Sequence, residues 1–133
     1  MKNQFNDTID EGKFKVDLHA IISGDDLTVI IGGGVKPHIG SVVIACPNKS
    51  NKSKNVNYTI WTDEGHKDNI VAEDVATELI KNFDFNKNVV VVAGLHVDNA
   101  TKEDINRLVK NSNILVDNLL KSDFFKAFIA ENK

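Results

Sequence analysis

Hydrophobic residues recur with two different periods along this chain, and the period changes near residue 68. Over residues 14–22, Phe14, Val16, Leu18, Ala20 and Ile22 alternate with Lys15, Asp17 and His19, which predicts a half-buried strand. Ser23-Gly24-Asp25-Asp26 supplies a turn and Leu27 to Ile31 a β-branched run, so the pair predicts an antiparallel hairpin. Gly32-Gly33-Gly34 ends that strand. Val35 to Ile39 then reads as a loop, and Ser41 to Cys46 as a third strand closed by Pro47. Asn48 to Asn57 is rich in Asn, Lys and Ser, a solvated loop within one domain, because the apolar segments on either side are too few for separate cores. Tyr58 to Thr62 predicts a fourth strand.

Beyond Asp68 the spacing is helical. Val71, Val75 and Leu79, with Ala72, Ala76, Ile80 and Phe83 beside them, predict an amphipathic helix over 69–83 capped by Asp68. Val89-Val90-Val91-Val92-Ala93 is an unbroken apolar run, the pattern of a strand covered on both faces and placed near the sheet centre. Thr101 and Asp104 form a capping-box pattern that opens a helix through Ile105, Leu108 and Val109. Ile114, Leu115, Leu119, Leu120, Phe124, Phe125 and Phe128 continue a helical pattern, and Asn111-Ser112-Asn113 marks either a break between two helices or the interior of one. The class is α+β, a single domain over 1–133, with residues 1–12 as a flexible polar tail.

Composition narrows the function classes. With 133 residues, 41% of them hydrophobic, one sizeable core is expected. Against 19 acidic residues there are 16 basic ones, a net charge of −3, so there is no positive excess to neutralise a nucleic-acid backbone. No apolar run approaches the roughly 20 residues of a membrane span, and the polar N-terminus has no signal-peptide core, so a cytoplasmic protein is expected. Cys46 is the sole cysteine; it fits a reducing compartment and reads as a small buried apolar residue.

Candidate chemistry gathers in three glycine-containing loops: Pro37-His38-Ile39-Gly40, Gly65-His66-Lys67-Asp68 and Gly94-Leu95-His96-Val97-Asp98. If the strands ending at Ile31, Trp61 and Ala93 point the same way, the loops share one rim of the sheet. Imidazoles there can bind a metal, pair with an anion when protonated, or pin their loops to local carbonyls. The glycine triplet completes no nucleotide-binding fingerprint, since no Gly-Lys-Ser/Thr follows and the chain leads to a strand; a tight connection needing positive φ is the stronger reading. The helix start after Asp63 to Asp68 is the better anion site, with His66 and Lys67 beside it, unless Asp68 itself satisfies the amides as cap. Trp61 belongs to the core, to a dimer interface or to a ring-stacking site. Asp98 and Glu73 are candidates to orient a histidine or act as bases, set against the solvated or capping role usual for single carboxylates in such places. His19 sits in regular alternation and needs no functional account.

At these loops the sequence resembles small bacterial and archaeal prenylated-flavin chaperones typified by the D subunit of gallate decarboxylase. The residues concerned are Gly33-Gly34-Val35-Lys36-Pro37-His38-Ile39-Gly40-Ser41-Val42, then Gly65-His66-Lys67-Asp68 with Ala72-Glu73, then Gly94-Leu95-His96-Val97-Asp98 before Thr101. Order and spacing agree from about residue 14 to residue 120. The resemblance implies an antiparallel-rich mixed sheet of five to six strands with two to three helices, similar to small proteasome-assembly chaperones and often dimeric. It also implies a non-catalytic partner of a 4-hydroxybenzoate-type (gallate-type) decarboxylase, with prenylated FMN or FMN as bound cargo.

On this reading Gly33, Gly34, Pro37, His38, Gly40, Gly65, His66, Lys67, Gly94, His96 and Asp98 form the cofactor site, with His38, His66, Lys67 and glycine-loop amides holding the phosphate and polar ring edges. Two alternatives stand beside it. His38, His66 and His96 can instead bind a divalent metal with an open position for activated water, although no pair has helical metal-motif spacing. The third reading is an assembly module without a small ligand, using a sheet edge or the Trp61 surface. The absence of a complete catalytic motif favours carrier over enzyme.

Overall fold

A computed structural model describes residues 3–48, 55–63, 69–84 and 86–131. Its six strands are β1 (Gln4–Ile9), β2 (Val16–Ser23), β3 (Asp26–Gly34), β4 (Ser41–Pro47), β5 (Val56–Thr62) and β6 (Val89–His96). They form one sheet in the order β1-β2-β3-β6-β4-β5, antiparallel at every pairing except β3 with β6. Three helices, α1 (Asn69–Asn82), α2 (Lys102–Lys121) and α3 (Asp123–Glu131), complete the antiparallel-rich α+β architecture expected from the sequence. Among the described residues no helix is long and apolar enough to cross a membrane.

The alternation in β2 and β3 sends Val16, Leu18, Ala20, Leu27, Val29 and Ile31 to one face, where they are fully buried with Val43, Ala45, Val89, Val91 and Ala93. Leu79 and Ile80 of α1, Leu115 and Leu119 of α2 and Phe128 of α3 cover that face. Phe83, just past α1, stacks on Phe125 with ring centroids 5.2 Å apart and meets Phe128 edge-on at 5.7 Å. The helices therefore form a single layer. Thr28, Ile30, Val90, Val92, Val42, Ile44, Thr59 and Trp61 alternate to the opposite face, over which no described element packs.

Several boundaries differ from the sequence expectations for identifiable reasons. Residues 4–9, expected within a tail, form edge strand β1. Asn6 and Thr8 point outward and make it look polar, while Phe5 packs on Phe124 with centroids 5.8 Å apart. His19, in regular alternation as expected, hydrogen-bonds across this pairing to Asn6 Oδ1 at 2.6 Å. Asn111-Ser112-Asn113 lies inside α2, because both buried polar side chains are satisfied there. Asn111 Nδ2 donates to Asp10 Oδ2 at 3.0 Å and to the Phe14 carbonyl at 2.9 Å, and Ser112 Oγ to the Leu108 carbonyl at 2.9 Å. The break falls at Ser122, whose hydroxyl donates to the Leu119 carbonyl and accepts from the Phe125 amide, ending one helix and opening the next. Thr101 and Asp104 form the expected capping box. Cys46 is half-buried on β4 and not wholly enclosed. The expected cap Asp68 lies outside the described residues.

Candidate functional site at the glycine rim

Because β3 and β5 both run parallel to β6, their C-terminal ends emerge on one edge, as the shared-rim expectation requires. In parallel register Gly32 lies beside Gly94, Gly33 beside Leu95 and Gly34 beside His96. Residues 35–40 then turn back over the Gly32 and Gly94 pair on the uncovered face. Absence of a side chain at Gly94 is what permits this, since a Cβ there would overlap the His38 carbonyl. At Gly34 the backbone has φ +81°, and a Cβ would collide with the His96 carbonyl. The positive-φ reading of the triplet thus holds at its third glycine.

Backbone hydrogen bonds fasten the loop at both ends. Val35 N–H donates to the His96 carbonyl at 2.9 Å and Gly40 N–H to the Ala93 carbonyl at 2.9 Å. Asp63 N–H, just past β5, donates to the Gly40 carbonyl at 2.7 Å, and Ser41 Oγ donates to the Trp61 carbonyl at 2.9 Å. With Gly34 N–H held by the Lys15 carbonyl at 2.9 Å, three amides that a phosphate cradle would use are already committed to backbone. Close packing, and not an open amide nest, accounts for Gly34.

What the loop presents is a pair of imidazoles. The His38 and His96 rings stand edge to face with centroids 6.1 Å apart. His38 Nδ1 lies 3.3 Å from the Lys36 carbonyl, and His96 Nε2 lies 2.8 Å from Asp98 Oδ1. A carboxylate only accepts, so the His96 proton sits on Nε2; Nδ1 is then an acceptor in the neutral ring and a donor once the ring is protonated. The expectation that Asp98 orients a histidine is met at His96. His96 keeps about a third of its side chain exposed, and Val35 and Ile39 of the same loop are more than half exposed. Imidazole donors and acceptors beside apolar side chains suit a ligand with a polar edge and a hydrophobic body.

The structure brings His38 and His96 together as neighbours. Pro37 packs over Gly32, a glycine that sequence reasoning left out of the site, although its place in the triplet was the signal. Gly65, His66, Lys67 and Asp68 lie outside the described residues. Among the described residues no group of three His, Cys, Asp or Glu side chains is placed to hold a metal ion. Glu73 is half-buried on α1, and Trp61 is 52% exposed, which removes it from the core and leaves the interface and stacking roles.

Comparison with known proteins agrees with this geometry. A crystal structure of a chaperone complex for yeast 20S proteasome assembly contains a chain that superposes with a TM-score of 0.62 at 19% identity, covering 95% of this chain and 96% of that one, a likeness of fold. Protein LpdD of Lactiplantibacillus plantarum is 26% identical over 98 residues, spanning 74% of this chain and 69% of that protein. Residues 10–122, which include β2 to β6 and the whole glycine rim, match the family model of the prenylated flavin chaperone LpdD-like domain. The chain is therefore a member of the prenylated flavin chaperone family of LpdD-like domains.

Proposed function

We propose that this protein is a non-catalytic, cytoplasmic carrier of prenylated FMN that works as a homodimer and serves a flavin-dependent decarboxylase of the gallate or 4-hydroxybenzoate type. The observation that carries the reading is the fixed pairing of His38 with the Asp98-oriented His96 beside exposed Val35 and Ile39, in a chain of this family. His38 Nδ1 faces the Lys36 carbonyl and His96 Nε2 faces Asp98, so the remaining nitrogen of each neutral ring offers an acceptor to a ring N–H, and of each protonated ring an N–H donor to phosphate or to ring carbonyls. Val35 and Ile39 give the prenylated ring system apolar contact. His66 and Lys67 are further candidates for the phosphate from the sequence alone. The bound flavin supplies its chemistry in the decarboxylase; the carrier only holds and presents it.

The test is retention of prenylated FMN on a desalting column. The wild-type chain is expected to keep the yellow ligand, and a His38→Ala, His96→Ala variant to bind at least about tenfold more weakly, as expected for loss of two polar contacts. Equal retention by both proteins would remove these histidines from the site.

A further inference from the structure

The two edges of the sheet are guarded differently. Along β1 the hydrogen-bonded pairs with β2 fall at odd residues, since the Ile22 amide donates to the Asn3 carbonyl, so Gln4, Asn6 and Thr8 turn their backbone groups outward. Asp7 Oδ1 accepts from the Thr8 amide at 2.9 Å, Thr8 Oγ1 donates to Asp17 at 2.6 Å, and the Asn6 side chain is held by His19. A carboxylate and a row of polar side chains thus blunt that edge against pairing with another chain. β5 has no such guard. Its seven residues, Val-Asn-Tyr-Thr-Ile-Trp-Thr, include no charge and no proline, and its seven pairs with β4 run without a bulge. The Asn48 amide donates to the Asn55 carbonyl and the Asp63 amide to the Gly40 carbonyl, so odd residues bond to β4 while Val56, Tyr58, Ile60 and Thr62 direct N–H and C=O groups outward. Among the described residues no strand pairs with them. Apolar side chains flank this row on both faces. Tyr58 and Ile60, 41% and 44% exposed, lie on the α1 side, and Trp61, 52% exposed, on the other.

We propose that the outer edge of β5 is where the protein that receives the flavin docks, adding an extended, uncharged segment as a seventh strand; this rests on the carrier reading above. The outward groups recur with the period of a strand, and an extended main chain presents the donors and acceptors that match them. Side chains of such a segment alternate as well, one set beside Tyr58 and Ile60 and the other beside Trp61, and a charged residue among them would find no counter-charge on β5. β5 also leads into the site, because Asp63, one residue past its end, is bonded to Gly40 of the histidine loop. A segment laid along β5 therefore ends beside that loop. The size of the edge favours a transient partner over a further copy of this chain. Seven residues at about 3.4 Å each and a sheet thickness of about 10 Å give roughly 240 Å², about a third of the roughly 800 Å² per partner of a standard stable interface. A two-fold axis would moreover pair β5 with itself in antiparallel sense and set the two rims at opposite ends. A recipient that leaves once loaded needs no larger contact.

Titration calorimetry against the apo form of a prenylated-FMN-dependent gallate decarboxylase tests the assignment. Ile60→Pro removes an outward N–H and leaves the ladder to β4 whole. This variant is expected to retain prenylated FMN as the wild-type chain does, but to bind the decarboxylase at least about tenfold more weakly. Gln4→Pro, which removes the equivalent outward N–H on β1, should bind it as wild type does. Amide exchange on the wild-type chain needs no variant and decides the matter should Ile60→Pro fail to fold. In the complex the Tyr58 and Ile60 amides should exchange at least about tenfold more slowly than in the free chain, while those of Gln4 and Asn6 keep their rates. Equal affinity of a folded Ile60→Pro variant, unslowed exchange at Tyr58 and Ile60, or no complex with a wild-type chain that retains flavin would each overturn the docking edge and leave the carrier reading standing. A wild-type chain that retains no flavin would overturn both.

Discussion

Replacing Gly94 by alanine tests whether the rim is held by backbone packed on backbone. The new Cβ would overlap the His38 carbonyl, an atom of the main chain that has no rotamer to change. Residues 35–40 must lift away, and the Gly40-to-Ala93 and Val35-to-His96 hydrogen bonds, both 2.9 Å, stretch with them. Overpacking costs about 1–3 kcal/mol and each weakened bond up to about 1 kcal/mol, so the loss should be about 2–4 kcal/mol. For a domain of this size that lowers Tm by roughly 6–16 °C. Gly32→Ala is the matched control, because Gly32 sits beside Gly94 in register and its Cβ would lie 3.3 Å from Pro37 Cβ. A shift of a few tenths of an ångström relieves that contact, and the reduced freedom of the unfolded chain offsets it, so this variant should stay within about 1 kcal/mol of wild type. Thermal unfolding by circular dichroism reads both, with flavin retention as the functional counterpart. Equal Tm values for the two variants would refute the reasoning.

Two further outcomes follow from the rest of the fold. Asp10 accepts from Asn111 and Arg107, and Asp104 from the Thr101 amide and Lys13; these bonds hold both carboxyls below the usual value of 3.8. Depressed folded values mean stabilisation that is present above pH 3.8 and lost as pH falls through the folded values, so Asp10→Asn and Asp104→Asn should flatten the decline in stability below about pH 4 in an acid titration followed by circular dichroism. A decline as steep as wild type in both would refute the linkage. Phe128→Ala removes a ring with no exposure that meets Phe83 edge-on and carries Lys87 Nζ 5.0 Å above it; chemical denaturation should show a loss of about 3–5 kcal/mol, and less than about 1 kcal/mol would mean that α3 is not part of the core.

Most of the elements were legible because their periodicity answers to one buried face. The hairpin of β2 and β3, helix α1 and the capping box at Thr101 follow directly from spacing. Strand β1 was not legible, because only Phe5 and Ile9 of its inward residues are apolar and Asp7 lies between them. The Asn-Ser-Asn segment was undecided for a different reason: whether buried Asn111 breaks a helix depends on acceptors at Asp10 and Phe14, about a hundred residues away in sequence. At the site, the convergence of β3, β5 and β6 on one rim was legible as a condition on strand direction, and Asp98 as an orienting group. That Gly94 exists to admit the His38 backbone was not, since the clash is between loops separated by more than fifty residues.

On the proposed function, the same rim would let a flavin be held without being used. Backbone bonds at Gly34, Val35 and Gly40 fix the loop, so a ligand meeting His38 and His96 would find the backbone already ordered, which favours capture. Yet Asp98 is 81% exposed on its side chain and His96 37%, so the group that orients His96 is open to water. Water there competes for every polar contact and keeps the net worth of each near 1 kcal/mol. A site that drives decarboxylation gains from closing over its reactants and excluding that solvent. A site that must release its cargo to another protein gains from the opposite, a rigid rim with modest, solvent-screened contacts, which is the arrangement that Gly94 and its neighbours build.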